Sequence, residues 1–197
     1  MTLAVLPNAI TVVRILLVLP TAWLLWQTRY VEALVLMAIA GASDAVDGWL
    51  ARRLGAVSHL GAALDPVADK LLVAVLFVVF AVQGHLPLWL VLVVLGRDLF
   101  IMSGAAAYRL LFGRIEFAPT LISKANTAVQ ISVLLMMLFH LCGFGVLSIW
   151  MGALLDPWCF YLLAVLAVAS GADYGLTWSL RAIRESRARR AEDRHAR

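Results

Sequence analysis

Long apolar stretches recur along this chain of 197 residues, over 9–26, 31–42, 71–82, 86–95, 129–141 and 157–169. A helix needs roughly 20 mostly apolar residues to cross the hydrocarbon core of a bilayer. Extended over their flanks, the stretches predict six spans at about 8–27, 31–53, 61–82, 87–112, 120–141 and 157–180. Of all residues, 63% are hydrophobic and 14% charged, with a mean hydropathy of +0.94. Soluble domains carry about 45–50% and about 25%. A cytosolic globule, a disordered chain and a nucleic-acid-binding module are thereby excluded. The expectation is an all-α polytopic membrane protein with six transmembrane helices, read as one membrane domain over 1–197 with a basic tail at 181–197.

Pro7 and Asn8 lead into a stretch that carries Arg14, unlike a secretory signal with its basic start and small-residue cleavage site. The first span is therefore expected in the mature protein. The net charge of +4 resides wholly in the tail, which holds seven arginines against Glu185, Glu192 and Asp193. Beside a membrane, such a tail reads either as an anchor to anionic headgroups or as a frayed, solvated helix end serving topology. Arg52, Arg53, Lys70, Arg109, Arg114, Lys124 and the tail fall on one set of alternating connections; the other set holds Arg29, Gln83–His85 and the stretch 142–156. The set richer in Lys and Arg is expected to be cytoplasmic, with both termini inside a multi-pass cell membrane.

Pro87 and Pro157 suit first-turn helix positions, and Pro66 sits near the start of span three. Gly143 and Gly145 mark a break after span five. Ala167, Gly171 and Gly175 follow a four-residue rhythm that lets helices approach closely, more often within one molecule than between two. Trp26, Trp89, Trp150 and Trp158 fall near the outer span ends, as an interfacial belt requires. Cys142 and Cys159 lack metal-site spacing and read as inert thiols.

The acids carry the chemistry. Asp44, Asp47, Asp65 and Asp69 lie in or beside apolar helices, toward the expected cytoplasmic end. An ionisable side chain within a span costs at least ~2.5 kcal/mol, which marks it as functional by default. Asp44 and Asp47 are three residues apart and Asp65 and Asp69 four, so each pair shares one helix face. A short turn joins the two helices as antiparallel neighbours, and all four carboxylates can converge. Clustered carboxylates repel unless a counter-charge sits among them. Hard oxygen donors without His or Cys point to two divalent ions, Mg²⁺ or Mn²⁺, which suit displacement at phosphorus. Ion transport is the rival from another class, since intramembrane acids also line ion paths.

The segment reads Asp44-Ala-Val-Asp47-Gly48-Trp-Leu-Ala51-Arg52, then eight residues, then Gly61-Ala-Ala-Leu-Asp65-Pro-Val-Ala-Asp69. It resembles, without departure, the pattern D-x2-D-G-x2-A-R-x8-G-x3-D-x3-D of the CDP-alcohol phosphatidyltransferase family. The resemblance implies six membrane helices, a homodimer, and transfer of a phosphatidyl or similar group from a CDP-linked donor to an alcohol. It implies that Asp44, Asp47, Asp65 and Asp69 hold two divalent ions and that Asp69 is also the general base. Gly48, Arg52 and Ser58 would contact the cytidine diphosphate. Asn8-Ala-Ile-Thr11 matches the family's N-x2-T element, which puts Asn8 and Thr11 on the donor nucleotide. Arg14 fits a phosphate or headgroup contact, and by itself fits a snorkelling arginine equally well.

Gly96-Arg97-Asp98 lies within span four, and Pro119-Thr-Leu-Ile-Ser123-Lys124-Ala-Asn126-Thr127-Ala-Val-Gln130 opens span five. Together these look like the CMP-forming cardiolipin synthases of the family, with CDP-diacylglycerol as donor and phosphatidylglycerol as acceptor. Sister enzymes that make phosphatidylglycerophosphate from glycerol 3-phosphate tend to read G-K-x-K-T there, with a second lysine where this chain has Asn126. The acceptor contacts implied are Arg14, Arg97, Lys124 and Asn126. Arg97 and Asp98 point about 100° apart on a helix and need not pair. Arg97 would bind an acceptor phosphate, steady an aspartate, or form a structural ion pair. His85 and His140 fall toward the opposite side, away from the chemistry.

Overall fold

The structure is a computed structural model of the chain. It describes the backbone of residues 6–39, 41, 59–112 and 120–195, and the side chains of 16–39, 41, 70–110, 120–179 and 181. Among the described residues there are helices and turns and no strand. In chain order the helices are α1 (Leu6–Trp26), α2 (Tyr30–Ile39), α3 (His59–Val82), α4 (Leu88–Phe112), α5 (Leu121–Cys142), α6 (Val146–Leu154) and α7 (Phe160–His195). Three described segments, Leu88–Leu110, Leu121–Cys142 and Val146–Ser179, are long and apolar enough to cross a membrane. The chain is thus a membrane protein, helical throughout its described secondary structure, and three of the six expected spans have candidates among the described residues. The second half of expected span two lies outside them.

The chain divides into two compact units, Met1–Pro87 with Val133–Asp156, and Leu88–Ser132 with Pro157–Arg197. In the first unit α1 packs along α3. Both helices end alike. Arg29 N–H donates to Leu24 O and Thr28 N–H to Leu25 O, each at 2.9 Å. In α3, His85 N–H donates to Phe80 O (2.8 Å) and Gly84 N–H to Ala81 O (3.0 Å). This paired pattern needs a left-handed residue after the helix; it is Gly84 at φ 77° in one helix and Thr28 at φ 59° in the other. The two turns lie side by side. Gln83 Nε2 donates to Leu25 O (2.7 Å), and the Tyr30 hydroxyl lies 3.0 Å from His85 Nε2. Helices α1 and α3 therefore run parallel, and two connections expected on one side of the membrane do share one end of this unit.

The stretch 142–156 is not the loop expected. After Gly143 and Gly145, both at positive φ, it winds into α6. That helix folds back on the end of α5, where Ser148 Oγ donates to Phe139 O (3.0 Å) and His140 Nδ1–H donates to Ser148 O (2.7 Å). The helical trace breaks at Asp156 (φ −110°, ψ 120°), because the ring of Pro157 disfavours helical geometry in the residue before it. Pro66 is the eighth residue of α3, which starts at His59. Helix α7 runs on to His195 and carries the backbone of the basic tail with it. Both cysteines are free, and Trp26, Trp89, Trp150 and Trp158 are all exposed.

In the second unit α4 and α7 pack along one another, and their contacts climb together. Trp89 stacks on Tyr161 with centroids 5.8 Å apart. Further along, Gly171 faces Arg97, Gly175 faces Phe100, and Gly104 lies beneath Trp178. The helices are parallel, and the Ala167, Gly171 and Gly175 rhythm serves packing within the chain, with Ala167 wholly buried.

Candidate active site

The aspartate motif is described only in part. Asp44, Asp47, Gly48, Arg52 and Ser58 lie outside the described residues. Asp65 and Asp69 fall in the first half of α3, one turn apart and on one face of it, as their spacing requires. Asn8, Thr11 and Arg14 lie in the first half of α1. Among the residues whose side chains are described, no three His, Cys, Asp or Glu gather as metal ligands.

The described polar centre is built around Arg97 in α4. Its guanidinium is buried in an apolar helix, 8% exposed. Nη1 donates to Asp98 Oδ1 at 2.6 Å, and Nη2 donates to Ser123 Oγ at 2.6 Å and to Ser170 Oγ at 2.5 Å. One side chain thereby ties α4 to α5 and α7. Arg97 and Asp98 do pair, because the 100° between neighbouring Cβ directions does not confine a side chain as long as arginine. Three of the five guanidinium N–H groups are spent this way, while Nε has no partner. Gly171 of α7 lies alongside, where an added Cβ would stand in ordinary contact with Arg97 Cγ at 3.7 Å.

Asn126 and Gln130 follow Ser123 on the same face of α5, 0% and 1% exposed. None of their four amide N and O atoms has a hydrogen-bond partner. An unsatisfied buried polar group costs about 1–3 kcal/mol, so a pair of them calls for an explanation. Lys124, by contrast, is exposed. Gln130 closes the Pro119–Gln130 motif but was given no role from sequence, and Ser170 was not singled out at all. Gln130 carried a signal, a second amide one turn beyond Asn126 in an otherwise apolar helix. Ser170 carried none, being 73 residues from Arg97.

Beside Arg97, α4 and α7 enclose an open apolar groove of about 750 Å³, lined among others by Leu92, Gly96, Phe100, Val168 and Leu176. A buried guanidinium with an unpartnered Nε thus stands beside an open apolar groove. Residues 4–158 match the CDP-alcohol phosphatidyltransferase family, and the chain belongs to it. Members of that family depend in general on divalent metal ions.

Similar proteins divide between two names. A CDP-diacylglycerol–glycerol-3-phosphate 3-phosphatidyltransferase of Pseudomonas fluorescens is 40% identical over 141 residues, 68% of this chain and 71% of the relative. Its counterpart in Bacillus subtilis is 30% identical over 158 residues, 73% and 81% of the two chains. The CMP-forming cardiolipin synthase of Homo sapiens is 32% identical over 142 residues, 64% of this chain. The match spans only 47% of that relative.

Proposed function

We propose that this phosphatidyltransferase joins CDP-diacylglycerol to phosphatidylglycerol, forming cardiolipin and CMP, as a homodimer in the cell membrane with both termini cytoplasmic. Asp69 accepts the proton of the acceptor's terminal glycerol hydroxyl. That oxygen forms a bond to the diacylglycerol-linked phosphorus, and the bond from this phosphorus to the CMP oxygen breaks. Asn8, Thr11, Gly48, Arg52 and Ser58 hold the nucleotide, while Arg14, Arg97, Lys124 and Asn126 serve the acceptor. Asp44, Asp47, Asp65 and Asp69 would hold two divalent ions, Mg²⁺ or Mn²⁺, which when bound offset charge on the phosphoryl oxygens and on departing CMP. The donor set fits, being hard carboxylate oxygen throughout. Direct transfer is favoured because no Ser, Cys or His stands out as an activated nucleophile.

The observation that supports the acceptor is the pairing of Arg97 with Asp98. A guanidinium already matched by a carboxylate leaves little positive charge for the dianionic monoester of glycerol 3-phosphate. A phosphodiester with one charge asks for less, and Asn126 keeps the adjoining face of α5 neutral. The name of the Pseudomonas relative favours the other reading, phosphatidylglycerophosphate synthesis.

A product assay in lipid vesicles separates them, with CDP-diacylglycerol, Mg²⁺ or Mn²⁺, and each acceptor supplied alone. Cardiolipin formed from phosphatidylglycerol is the expected result. Phosphatidylglycerophosphate formed only from glycerol 3-phosphate overturns the acceptor and leaves the aspartate chemistry standing. Asn126→Lys should raise affinity for glycerol 3-phosphate at the expense of phosphatidylglycerol.

A further inference from the structure

Asn126 and Gln130 are wholly buried on α5 with every amide atom unpartnered. Their register makes this specific. Gln130 lies two turns beyond Ser123, about 10 Å along the helix and within about 20° of the same direction. Ser123 Oγ accepts from Arg97 Nη2, so this stripe of α5 continues from the residue that meets Arg97. Long helical side chains lean toward the helix N-terminus, which carries the Gln130 amide back along the stripe toward Asn126. Arg97 Nε is likewise buried and unpartnered. The stripe thus begins where Arg97 Nη2 meets Ser123 and continues in two neutral, unpartnered amides.

This donor set selects its ligand by chemistry. A phosphate or carboxylate accepts hydrogen bonds only, and would leave both amide oxygens facing negative charge. An apolar occupant would leave all four atoms unsatisfied. A hydroxyl both donates and accepts, and two hydroxyls on neighbouring carbons match two amides one turn apart.

We propose that Asn126 and Gln130 bind the paired hydroxyls of a glycerol-type headgroup, and that Gln130 is a specificity-determining residue for the acceptor. The inference rests on reading the Arg97–Asn126 stripe as the acceptor site. It does not depend on which acceptor is used, since phosphatidylglycerol and glycerol 3-phosphate both carry two free hydroxyls.

The test uses the full chain in vesicles with CDP-diacylglycerol and Mn²⁺. Gln130→Met is compared with wild type on the working acceptor and on its analogue lacking the secondary hydroxyl (phosphatidyl-1,3-propanediol, or 3-hydroxypropyl phosphate). Gln130→Met should raise the acceptor KM about ten- to hundredfold. The KM for CDP-diacylglycerol and the melting temperature should hold. The analogue should cost wild type a similar factor and cost Gln130→Met nothing further.

Equal penalties in the two enzymes, or an unchanged acceptor KM with a lowered melting temperature, would make the pair structural or water-filled and overturn the proposal. Should Gln130→Met not fold, equal KM values for the two acceptors in wild type overturn it alone. Asn126→Lys separates the two levels of the argument. If it moves the KM of neither phosphatidylglycerol nor glycerol 3-phosphate, the acceptor-site reading itself fails. If it moves them and Gln130→Met does not, only the role of Gln130 falls.

Discussion

Trp178 of α7 lays its indole across Gly104 of α4, so closely that a Cβ at Gly104 would stand 1.7 Å from the ring. The indole cannot simply swing away. It is 9% exposed, with Tyr174 edge-on at 5.4 Å and Phe100 tilted against it at 6.2 Å.

Gly104→Ala should therefore lower stability by about 1–3 kcal/mol, the cost of overpacking a filled site. Gly96, on the same helix, has open space around it, with nothing within 4 Å of where a Cβ would stand. Gly96→Ala should be neutral or stabilise by up to about 1 kcal/mol through helix propensity. Thermal unfolding in detergent reads both. Equal shifts for the two variants would show that the α4–α7 contact does not depend on the glycine.

Thr28 ends α1 in the left-handed region, at φ 59°, where Gly84 does the same duty for α3. A β-branched residue is strained there by about 1–2 kcal/mol. Thr28→Gly removes that strain, at the cost of a more flexible unfolded chain. A net gain of about 0.5–1 kcal/mol is expected, seen as a raised melting temperature; a lowered one would mean that Thr28 contributes contacts worth more than its strain.

His85 lies in the turn after α3, outside the spans. Burial, and second the charge of His140, hold its imidazole below its ordinary value of 6.5. A base with a lowered folded pKa binds protons more readily when unfolded, so stability rises with pH in this window. The contribution is complete above pH 6.5 and is lost as pH falls from there through the lowered folded value. The neutral ring with its proton on Nδ1 accepts the Tyr30 hydroxyl at Nε2, 3.0 Å away, and protonation removes that acceptor. His85→Gln keeps a partner for Tyr30 and should flatten the fall in melting temperature between about pH 7.5 and about pH 5.5. An unchanged fall would place the pH dependence elsewhere.

Helix ends were legible where the chain carries chemical stops. A helix is expected at 8–27 and found at Leu6–Trp26, and another is expected at 87–112 and found at Leu88–Phe112. Pro87 sets the start of α4 through φ restriction, and Gly84 and Gly143 end α3 and α5 at positive φ. Helix α6 was hidden because two glycines precede it and its 9 residues are too few to signal a span. The Arg97 cluster was half visible. Its charge inside an apolar run marked it, but a bond to Ser170 depends on α7 returning parallel to α4, which no local pattern encodes. Asn126 stood out as a missing lysine, whereas the burial of Gln130 depends on how α5 is covered.

The aspartate motif offers the sharpest test of mechanism, because its members should fail in different ways. Asp65 and Asp69 stand one turn apart on α3, and either change to Asn keeps size while removing a charge. If Asp65 acts only by holding metal, Asp65→Asn weakens metal affinity, and raising Mn²⁺ should recover part of its turnover. If Asp69 is also the base, Asp69→Asn lowers kcat by about 10²- to 10⁴-fold, the range that positioned proton transfer supplies, and added Mn²⁺ should not restore it. The acid limb of the kcat profile against pH, which reports the carboxylate that must be ionised, should vanish in Asp69→Asn and persist in Asp65→Asn. The KM for CDP-diacylglycerol separates binding from chemistry in both. Turnover within about threefold of wild type in Asp69→Asn would remove the residue from proton transfer, because a general base worth even the low end of that range cannot be lost so quietly.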